Sequence, residues 1–534
     1  MIISRKAIFL IFLGLAILFI RFSGLLSFPI FNDEGIYLQY SQLMSGDFPN
    51  FKFISVDNVF HDWKPPLQYW LGSVVIDWFT NPLLAGRALS AFFWVIGLIG
   101  VYFLGFWLWG RREGFWAAIF YLLNSPTFFY GGQFVAEVYV WTAAVWLFAC
   151  SVFLMKRSAA DLGFWVMVGG IIAGTSVLLF KQASFLYFYL AWLLPFFFWP
   201  AREKKDVKEK KSLNLQIIKK RLWQRNAFTV FTILALSFLF YKLVIPANLF
   251  ALEGQYTGRW TFGLNEIFSW PIESWLANLK IVWNFYLHYY SPVVIFLAAL
   301  FTIRAFWQKK KEEIFIGTMF WLASAAVVFG LRSFNEYLYH TAVIVFLAVC
   351  LGRLWEDFRL SWLIGIGREK IIAGLLLAAM TFVLLFGSWQ IYLIKTNQSG
   401  YLNRGTTWAK NNYLISWANG FNVLTLIKSL EALPDPSIAF IDPQWGNPGT
   451  ALQVFQYRYP QVKLAPISFD LMKSEFVDQI KSGGFKERLI IYSALGNLQD
   501  VRKQWQEEIE KNLCNRKEEL RAFSGQTPVV VCHF

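Results

Sequence analysis

The chain has 534 residues, of which 57% are hydrophobic and 16% are charged, whereas soluble proteins contain about 45–50% apolar and about 25% charged residues. This apolar surplus excludes an ordinary soluble protein, because a globular core cannot hide so many apolar side chains from water. The formal net charge is +15, but the Lys and Arg residues occur in short runs between apolar segments and do not form a single basic face. The charge therefore gives no reason to expect a nucleic-acid partner.

Eleven apolar stretches follow one another along the chain. A membrane-spanning helix needs about 20 mostly apolar residues. The first stretch lacks a small-residue cleavage site and contains Arg21, so it is typical of a retained anchor and not of a signal peptide. The predicted spans are residues 7–26, 84–108, 114–130, 138–155, 162–180, 183–200, 226–246, 284–303, 313–331, 338–354 and 371–394.

The basic loops give the predicted orientation. With the N-terminus in the cytoplasm, every strongly basic loop falls on the cytoplasmic side, as the positive-inside rule requires. An odd number of spans then places everything after about residue 395 on the exterior of the plasma membrane. The basic loops lie at 111–112, 156–157, 202–225, 304–311 and 353–370, and the other exterior segments at 27–83, 133–137 and 247–283.

The chain changes character after residue 395. Short β-like runs at 437–441, 488–492 and 528–531 alternate with a polar helical stretch at 498–512. The fold class predicted is therefore a mostly α, polytopic membrane helical bundle with a C-terminal soluble α/β domain. We place the transmembrane domain at 1–395 and the exterior domain at 396–534.

The four cysteines fall into two pairs. Cys150 and Cys350 lie inside apolar helices, where packing residues are expected. Cys514 and Cys532 lie in the predicted exterior domain, where an oxidising compartment permits a disulfide. The sequence leaves bridged and free forms of this second pair equally open.

Five charged residues are predicted at the exterior edge of the bundle. Asp33 and Glu34 directly follow the first span, as catalytic carboxylates or as the polar start of a helix. Lys64 precedes two prolines and an amphipathic stretch, and it could equally extend to lipid headgroups. Glu137 and Lys181 stand at span ends, where each alone could be a boundary residue. Their coincidence at one depth favours a common site.

The order of these motifs resembles a known family. DE after the first span, KPPLQYW, an Arg-containing helix start (GRALS), SP followed by an acidic residue, and LLFKQ are similar to the GT-C glycosyltransferases. The most similar branch is glycosyltransferase family 39, which contains protein O-mannosyltransferases and lipid A aminoarabinose transferases. The resemblance covers the membrane part and is strongest over 27–185. It implies a GT-C fold and transfer of a sugar from a polyprenyl-phosphate donor to a hydroxyl acceptor on a protein, lipid or glycan.

The resemblance also implies roles for individual residues. Asp33 would be the catalytic base, Glu34 and Glu137 would be the accompanying acidic residues, and Lys64 and Lys181 would hold the donor phosphate. Ile36 stands where aminoarabinose transferases carry an Arg, so Arg87 or Arg21 would have to supply that phosphate contact. Downstream, Asn335 and Tyr337 occupy the region where relatives often have a basic residue before an Arg-Tyr pair.

The residue types suit a single displacement with inversion. A carboxylate takes the acceptor proton, and cations stabilise the charge on the departing phosphate. No cofactor is required by this chemistry, although a cluster of Asp33, Glu34 and Glu137 could recruit a divalent metal. The chain lacks the WWD element of oligosaccharyltransferases, which favours transfer of a single sugar. The alternatives are a transporter or flippase of a lipid-linked or anionic substrate and an inactive scaffold.

Overall fold

The computed structural model describes most of the chain. Its described residues are 5–51, 65–156, 163–181, 184–198, 210–246, 249, 261–332, 335–411, 413, 420–441, 448–466, 484–493, 507, 509–511, 513–521 and 528–533. They form a bundle of membrane-length helices followed by a small sheet with flanking helices, which confirms the predicted fold class.

The described helices are numbered here in chain order. The first eleven are α1 (Arg5–Phe22), α2 (Asn32–Gly46), α3 (Phe48–Phe51), α4 (Leu67–Ile76), α5 (Pro82–Leu108), α6 (Arg111–Leu122), α7 (Ser125–Tyr130), α8 (Ala136–Lys156), α9 (Gly163–Phe180), α10 (Phe185–Phe197) and α11 (Lys210–Val244). The others are α12 (Leu264–Phe268), α13 (Ile272–Phe285), α14 (Pro292–Gln308), α15 (Lys311–Gly330), α16 (Glu336–Ile364), α17 (Arg368–Thr396), α18 (Gln398–Arg404), α19 (Thr407–Lys410), α20 (Phe421–Glu431) and α21 (Gly449–Val454).

Seven helices in the described part of the chain are long and apolar enough to cross a membrane. They are α5, α8, α9, α11, α15, α16 and α17. An eighth span arises if α13 and α14 are taken together, although they bend by 105° at Ser291. The helices α1 and α10 and the pair α6 and α7 lie at the remaining three predicted spans, but they are not among the described helices long and apolar enough to cross a membrane. The count of eleven spans therefore stays a prediction.

Two predicted spans are broken in the structure. The stretch 114–130 is not one helix, because α6 ends at Leu122 and α7 starts at Ser125. Asn124 explains the break, since its side chain accepts the N–H of Thr127 and so starts a new helix. The stretch 284–303 breaks at Ser291, whose φ of 72° is incompatible with a continuous helix.

Helix α8 is the centre of the bundle. Of its apolar window, 94% is buried inside the protein, whereas the corresponding share for α17 is 17%. Because α8 begins at Ala136, its first turn places Glu137 at one end of the bundle and its last turn places Lys156 at the other. At 1.5 Å per residue these ends lie about 28 Å apart.

The C-terminal sheet has five strands in the order β2-β1-β3-β5-β4. The strands are β1 (Ser437–Ile441), β2 (Val462–Pro466), β3 (Glu487–Ser493), β4 (Arg516–Leu520) and β5 (Val529–His533). β1 pairs in parallel with β2 and β3, while β5 runs antiparallel to β3 and β4. Three of these strands match the predicted β-like runs. The domain boundary at residue 395 stays a prediction.

The sheet packs towards the membrane bundle with one face. Side chains alternate between the two faces of a strand, so Ala439 and Ile441 join the main core while Ile438 and Phe440 belong to a separate small cluster. Helix α21 continues this packing onto α2, where Gly35 leaves so little room that a Cβ would lie 2.9 Å from Thr450 Oγ1. The C-terminal domain therefore supports the helix that carries Asp33.

A disulfide between Cys514 and Cys532 cross-links the β4–β5 edge of the sheet. It joins the chain just before β4 to the next-to-last residue of β5, whereas Cys150 and Cys350 are free and buried. Of the two possibilities that the sequence leaves open, the structure has the bridged one.

We expect this bridge to stabilise the sheet by constraining the unfolded chain. Closing a loop of this length contributes about 3 kcal/mol, so the double substitution Cys514→Ala/Cys532→Ala should lower the unfolding free energy of the C-terminal domain by about 2–4 kcal/mol. Alkylation of the unfolded, unreduced protein should modify Cys150 and Cys350 alone, and reduction should expose the other two. Modification of all four cysteines without reductant would contradict the bridge.

Candidate active site

Glu34 forms a buried ion pair with Arg87. The carboxylate is fully buried, and it accepts hydrogen bonds from Arg87 Nε at 2.7 Å and Nη2 at 2.5 Å. It also accepts the backbone N–H groups of Phe31 at 3.3 Å and Phe134 at 2.9 Å. Glu34 thus caps the first turn of α2. It also connects α2 to Arg87 on α5 and to the backbone of Phe134.

Arg87 also donates hydrogen bonds to the backbone of the segment that leads into α2. Its Nη1 donates to the carbonyls of Leu25 and Phe28, each at 2.7 Å, and its Nη2 donates to the carbonyl of Pro29 at 2.9 Å. The guanidinium is 1% exposed. Arg87 therefore fixes the link between α1 and α2, and this geometry gives no support to its predicted contact with a donor phosphate.

Asp33 points away from this pair. Consecutive helix residues are about 100° apart around the axis, so the neighbour of the buried Glu34 is only half-buried. Its Oδ2 accepts the hydroxyl of Tyr337 at 3.4 Å, and its Oδ1 lies 3.4 Å from the side-chain amide of Asn32. Asp33 is therefore a carboxylate with accessible surface, held by two long hydrogen bonds.

Lys181 and Glu137 form a second ion pair beside Tyr337. Lys181 Nζ donates to Glu137 Oε1, and the Lys181 side chain keeps 22% exposure while that of Glu137 keeps 2%. The same ammonium lies 5.0 Å from the centre of the Tyr337 ring, a cation–π distance. Asp33, Tyr337, Lys181 and Glu137 thus form one continuous chain of contacts.

The structure brings together three of the six residues predicted for the site. Asp33, Glu137 and Lys181 share the end of the bundle that carries the C-terminal domain, whereas Glu34 and Arg87 are buried behind them. Lys64 lies outside the described residues. The catalytic and phosphate-binding roles of all six stay predictions.

Tyr337 is the contact residue that links Asp33 to the ion pair. It lies near the start of α16, in the downstream region for which the family resemblance named Asn335 and Tyr337. Asn335 caps that helix by accepting the N–H groups of Tyr337 and Leu338. A polar residue just after a loop and before a long apolar helix is the signal that points to it.

Two further tyrosines surround the site. Burial raises the pKa of Tyr37 well above its usual value, and the nearby charges of Asp33 and Glu137 raise it further. Burial likewise raises the pKa of Tyr413, with further contributions from Tyr337 and Asp33. Both phenols therefore stay neutral and can donate hydrogen bonds.

Tyr413 belongs to the C-terminal part of the chain and closes one side of the site. Its ring lies 4.5 Å from that of Phe31, and its hydroxyl donates to Gln133 Oε1 at 3.2 Å. Nothing in the sequence around Tyr413 singles it out, because its role depends on how the C-terminal domain folds back.

The three predicted carboxylates do not form one cluster. Glu34 faces Arg87, so the proposed cation site of Asp33, Glu34 and Glu137 is not assembled as the sequence suggested. No group of three His, Cys, Asp or Glu residues among the described positions could hold a metal ion. The expectation that no cofactor is required stays a prediction.

The opposite end of the bundle carries an ion-pair network. Arg353 contacts Glu113 at 2.9 Å, Glu313 at 3.0 Å and Asp357 at 3.1 Å, which ties α6, α15 and α16 together. Lys156, at the far end of α8 from Glu137, pairs with Glu312. The site and this network therefore mark the two ends of the bundle.

The overall structure is similar to solved membrane proteins of low sequence identity. The chain matches ArnT from Cupriavidus metallidurans bound to undecaprenyl phosphate with a TM-score of 0.52 and 12% identity, covering 99% of this chain and 98% of that one. The apo state of the same protein gives a TM-score of 0.53 and 13% identity, with coverages of 98% and 97%. This likeness shows that the chain has the predicted GT-C fold.

A third solved structure is the archaeal oligosaccharyltransferase AglB from Archaeoglobus fulgidus in complex with an inhibitory peptide and a dolichol-phosphate. It matches with a TM-score of 0.47 and 13% identity, covering 87% of this chain and 66% of that one. No protein-family model matches the sequence, and no curated protein matches it.

Proposed function

We propose that the chain is an integral membrane glycosyltransferase that moves a single sugar from a polyprenyl-phosphate donor to a hydroxyl acceptor. The observation that carries this proposal is the chain of contacts from Asp33 through Tyr337 to the Lys181–Glu137 pair. It provides a base and a cation side by side, at the end of a GT-C bundle. The likeness to ArnT, whose solved structure holds undecaprenyl phosphate, supports a lipid-linked donor.

The reaction we propose is a single displacement. The acceptor hydroxyl gives its proton to the Asp33 carboxylate as its oxygen forms a bond to the anomeric carbon. The bond between that carbon and the lipid-phosphate oxygen breaks, and its electron pair leaves with the phosphate. Attack from the side opposite the leaving group inverts the anomeric centre.

Lys181 stabilises the charge on the departing phosphate in this proposal. Its ammonium has three donors, of which one binds Glu137, and its side chain is 22% exposed. Glu137 is then a positioning residue, because its carboxylate is nearly fully buried and touches the ammonium directly. Lys64 is the second predicted phosphate ligand.

Glu34 and Arg87 hold the site in place rather than react. Both side chains are buried, and their donors and acceptors are used by each other and by backbone groups. We propose that this pair fixes the start of α2 and thereby aims Asp33. A hydroxyl acceptor and a sugar reach Asp33 on its exposed side.

We propose that the site faces the exterior of the plasma membrane and that the N-terminus is cytoplasmic. Lys156, Arg304 and Arg353, which belong to basic loops predicted to be cytoplasmic, form ion pairs at the end of the bundle opposite the site. The Cys514–Cys532 disulfide supports the same orientation, since disulfides persist in oxidising compartments. A polyprenyl-linked donor suits an exterior site because it can present its sugar there.

Removal of the Lys181 charge tests the donor contact. We expect Lys181→Met to lower kcat/KM for a labelled polyprenyl-phosphate sugar by about 10–100-fold, since a hydrogen bond to a charged group contributes about 1.5–3 kcal/mol. Lys181→Arg should retain part of the activity, because it keeps the charge. The assay follows sugar transfer in purified protein reconstituted with donor and acceptor extracts.

The matched control is Lys280→Met, which removes an exposed lysine of α13 and should leave kcat/KM unchanged. Equal activity of Lys181→Met and Lys280→Met would contradict the assignment of the phosphate to Lys181. A transporter of the same lipid would show no sugar transfer in either protein, and flipping of the labelled donor would continue in both.

A further inference from the structure

A second pair of cations lies at the same end of the bundle, away from the Asp33 site. Arg21 at the end of α1 and Lys395 at the end of α17 line a small cavity together with Gly24, Ser27, Phe128 and Gly132. None of Asp33, Glu137, Lys181 and Tyr337 lines this cavity, and no acidic residue does so among the described residues. The described residues that line the cavity therefore carry two positive charges and no negative one.

The Arg21 guanidinium is buried and has no anionic partner among the described residues. The residue is 2% exposed, and only Nη1 donates, to the carbonyl of Phe128 at 2.7 Å. Within the described part of the chain, Nε and Nη2 have no hydrogen-bond partner. The rings of Trp94 at 5.0 Å and Phe128 at 4.9 Å stabilise the cation partly. Unused buried donors of a charged group are costly, so an anion would improve this arrangement.

Lys395 adds a second charge to the cavity. Its Nζ donates to the carbonyl of Ser23 and lies 5.2 Å from the centre of the Phe128 ring. Both cations thus lie about 5 Å from the centre of the same ring, at 4.9 Å for Arg21 and 5.2 Å for Lys395, and they repel each other. A shared anion would turn this repulsion into two favourable contacts.

The size of the cavity limits what can bind. It measures about 30 Å³, and roughly 10–15 Å³ of such volume admits one water-sized atom. Two or three oxygen atoms fit, as on the end of a phosphate group, whereas a sugar ring does not. Both cations lie at the last turns of membrane helices, the depth at which lipid phosphates are found.

We propose that Arg21 and Lys395 form a phosphate-binding site, distinct from the donor site and independent of the proposed transfer reaction. The phosphate comes from an anionic lipid headgroup or from free phosphate, which share this chemistry. Gly132 supports the assignment because a Cβ there would lie 3.2 Å from Arg21 Nη2, so only glycine leaves the guanidinium face open. The segment from Phe128, in α7, to Phe134 then connects this site to Glu34, whose carboxylate accepts the N–H of Phe134.

Thermal unfolding of the purified full-length protein tests the proposal. The probes are inorganic phosphate against chloride at equal ionic strength, and phosphatidylglycerol against diacylglycerol in detergent micelles. We expect a phosphate-dependent rise in Tm for the unmodified protein and for Lys280→Gln. The rise should fall below a third of that value in Arg21→Gln, Lys395→Gln and Gly132→Ala.

The variants separate the possible outcomes. A rise with phosphatidylglycerol alone identifies a lipid headgroup, and a rise with both probes shows that free phosphate also binds. If Arg21→Gln does not fold, the phosphate-dependent rise in Tm is compared in Lys395→Gln and Gly132→Ala. Gly132→Ala keeps both positive charges and changes only the space beside Arg21. An unchanged rise in these two variants, or no rise in the unmodified protein, overturns the site. Lys181→Met should retain the rise, which separates this site from the donor site.

Discussion

Substitution of Asp33 by Asn should reduce sugar transfer by about 10²–10⁴-fold, the range found for loss of a general base. The amide has nearly the same size and can still contact Tyr337 and Asn32, so the fold and donor binding should persist. It cannot take up the proton of the acceptor hydroxyl. The loss should therefore appear in kcat, measured with a labelled polyprenyl-phosphate sugar, while the donor KM changes little.

Asp77→Asn is the matched control for this substitution. Asp77 is an exposed carboxylate just after α4 that accepts a hydrogen bond from Ser45, and it lies outside the chain of contacts around Lys181. Its loss should leave transfer at the level of the unmodified protein. Comparable activity of Asp33→Asn and Asp77→Asn would show that Asp33 is not the base.

Arg87→Met should destabilise the folded protein by about 3–5 kcal/mol, because it leaves the Glu34 carboxylate buried and unpaired. The carbonyls of Leu25, Phe28 and Pro29 lose their donors in the same step. Thermal unfolding in detergent measures the effect. The double variant Glu34→Gln/Arg87→Met should recover part of the loss, since it removes the uncompensated charge.

Arg332→Met provides the comparison with an exposed ion pair. Arg332 and Glu266 are each about two-fifths exposed, and removal of this surface contact should change the unfolding temperature little. If Arg87→Met unfolds like Arg332→Met but loses donor binding, Arg87 contacts the donor phosphate and does not position α2.

The convergence of distant charges could be predicted because apolar helices leave few places for charged side chains. Glu137 and Lys181 both stand at the end of a long apolar run, and a membrane bundle brings such ends to one depth. Three of the five strands, β1, β3 and β5, could be predicted as well, since each is a short apolar run between polar segments. The fold class follows from these features together.

The different environments of Asp33, which is half-buried, and Glu34, which is buried against Arg87, could not be predicted in this way. The two carboxylates are equivalent in the sequence, and their separation depends on the start of α2 and on the partner that each one meets. Arg87 is 53 residues away, on another helix, so its pairing with Glu34 is a property of the packed bundle. Tyr413 reaches the site by the folding back of the C-terminal domain, which no local pattern records.

An experimental structure of the protein with a bound polyprenyl phosphate tests the proposed site most directly. The phosphate should lie within hydrogen-bonding distance of Lys181 Nζ, about 3 Å, with the Lys181–Glu137 contact kept and the exposed side of Asp33 facing the position of the sugar. Phosphate bound only at Arg21 and Lys395, with nothing beside Lys181 and Asp33, would contradict the proposed catalytic centre.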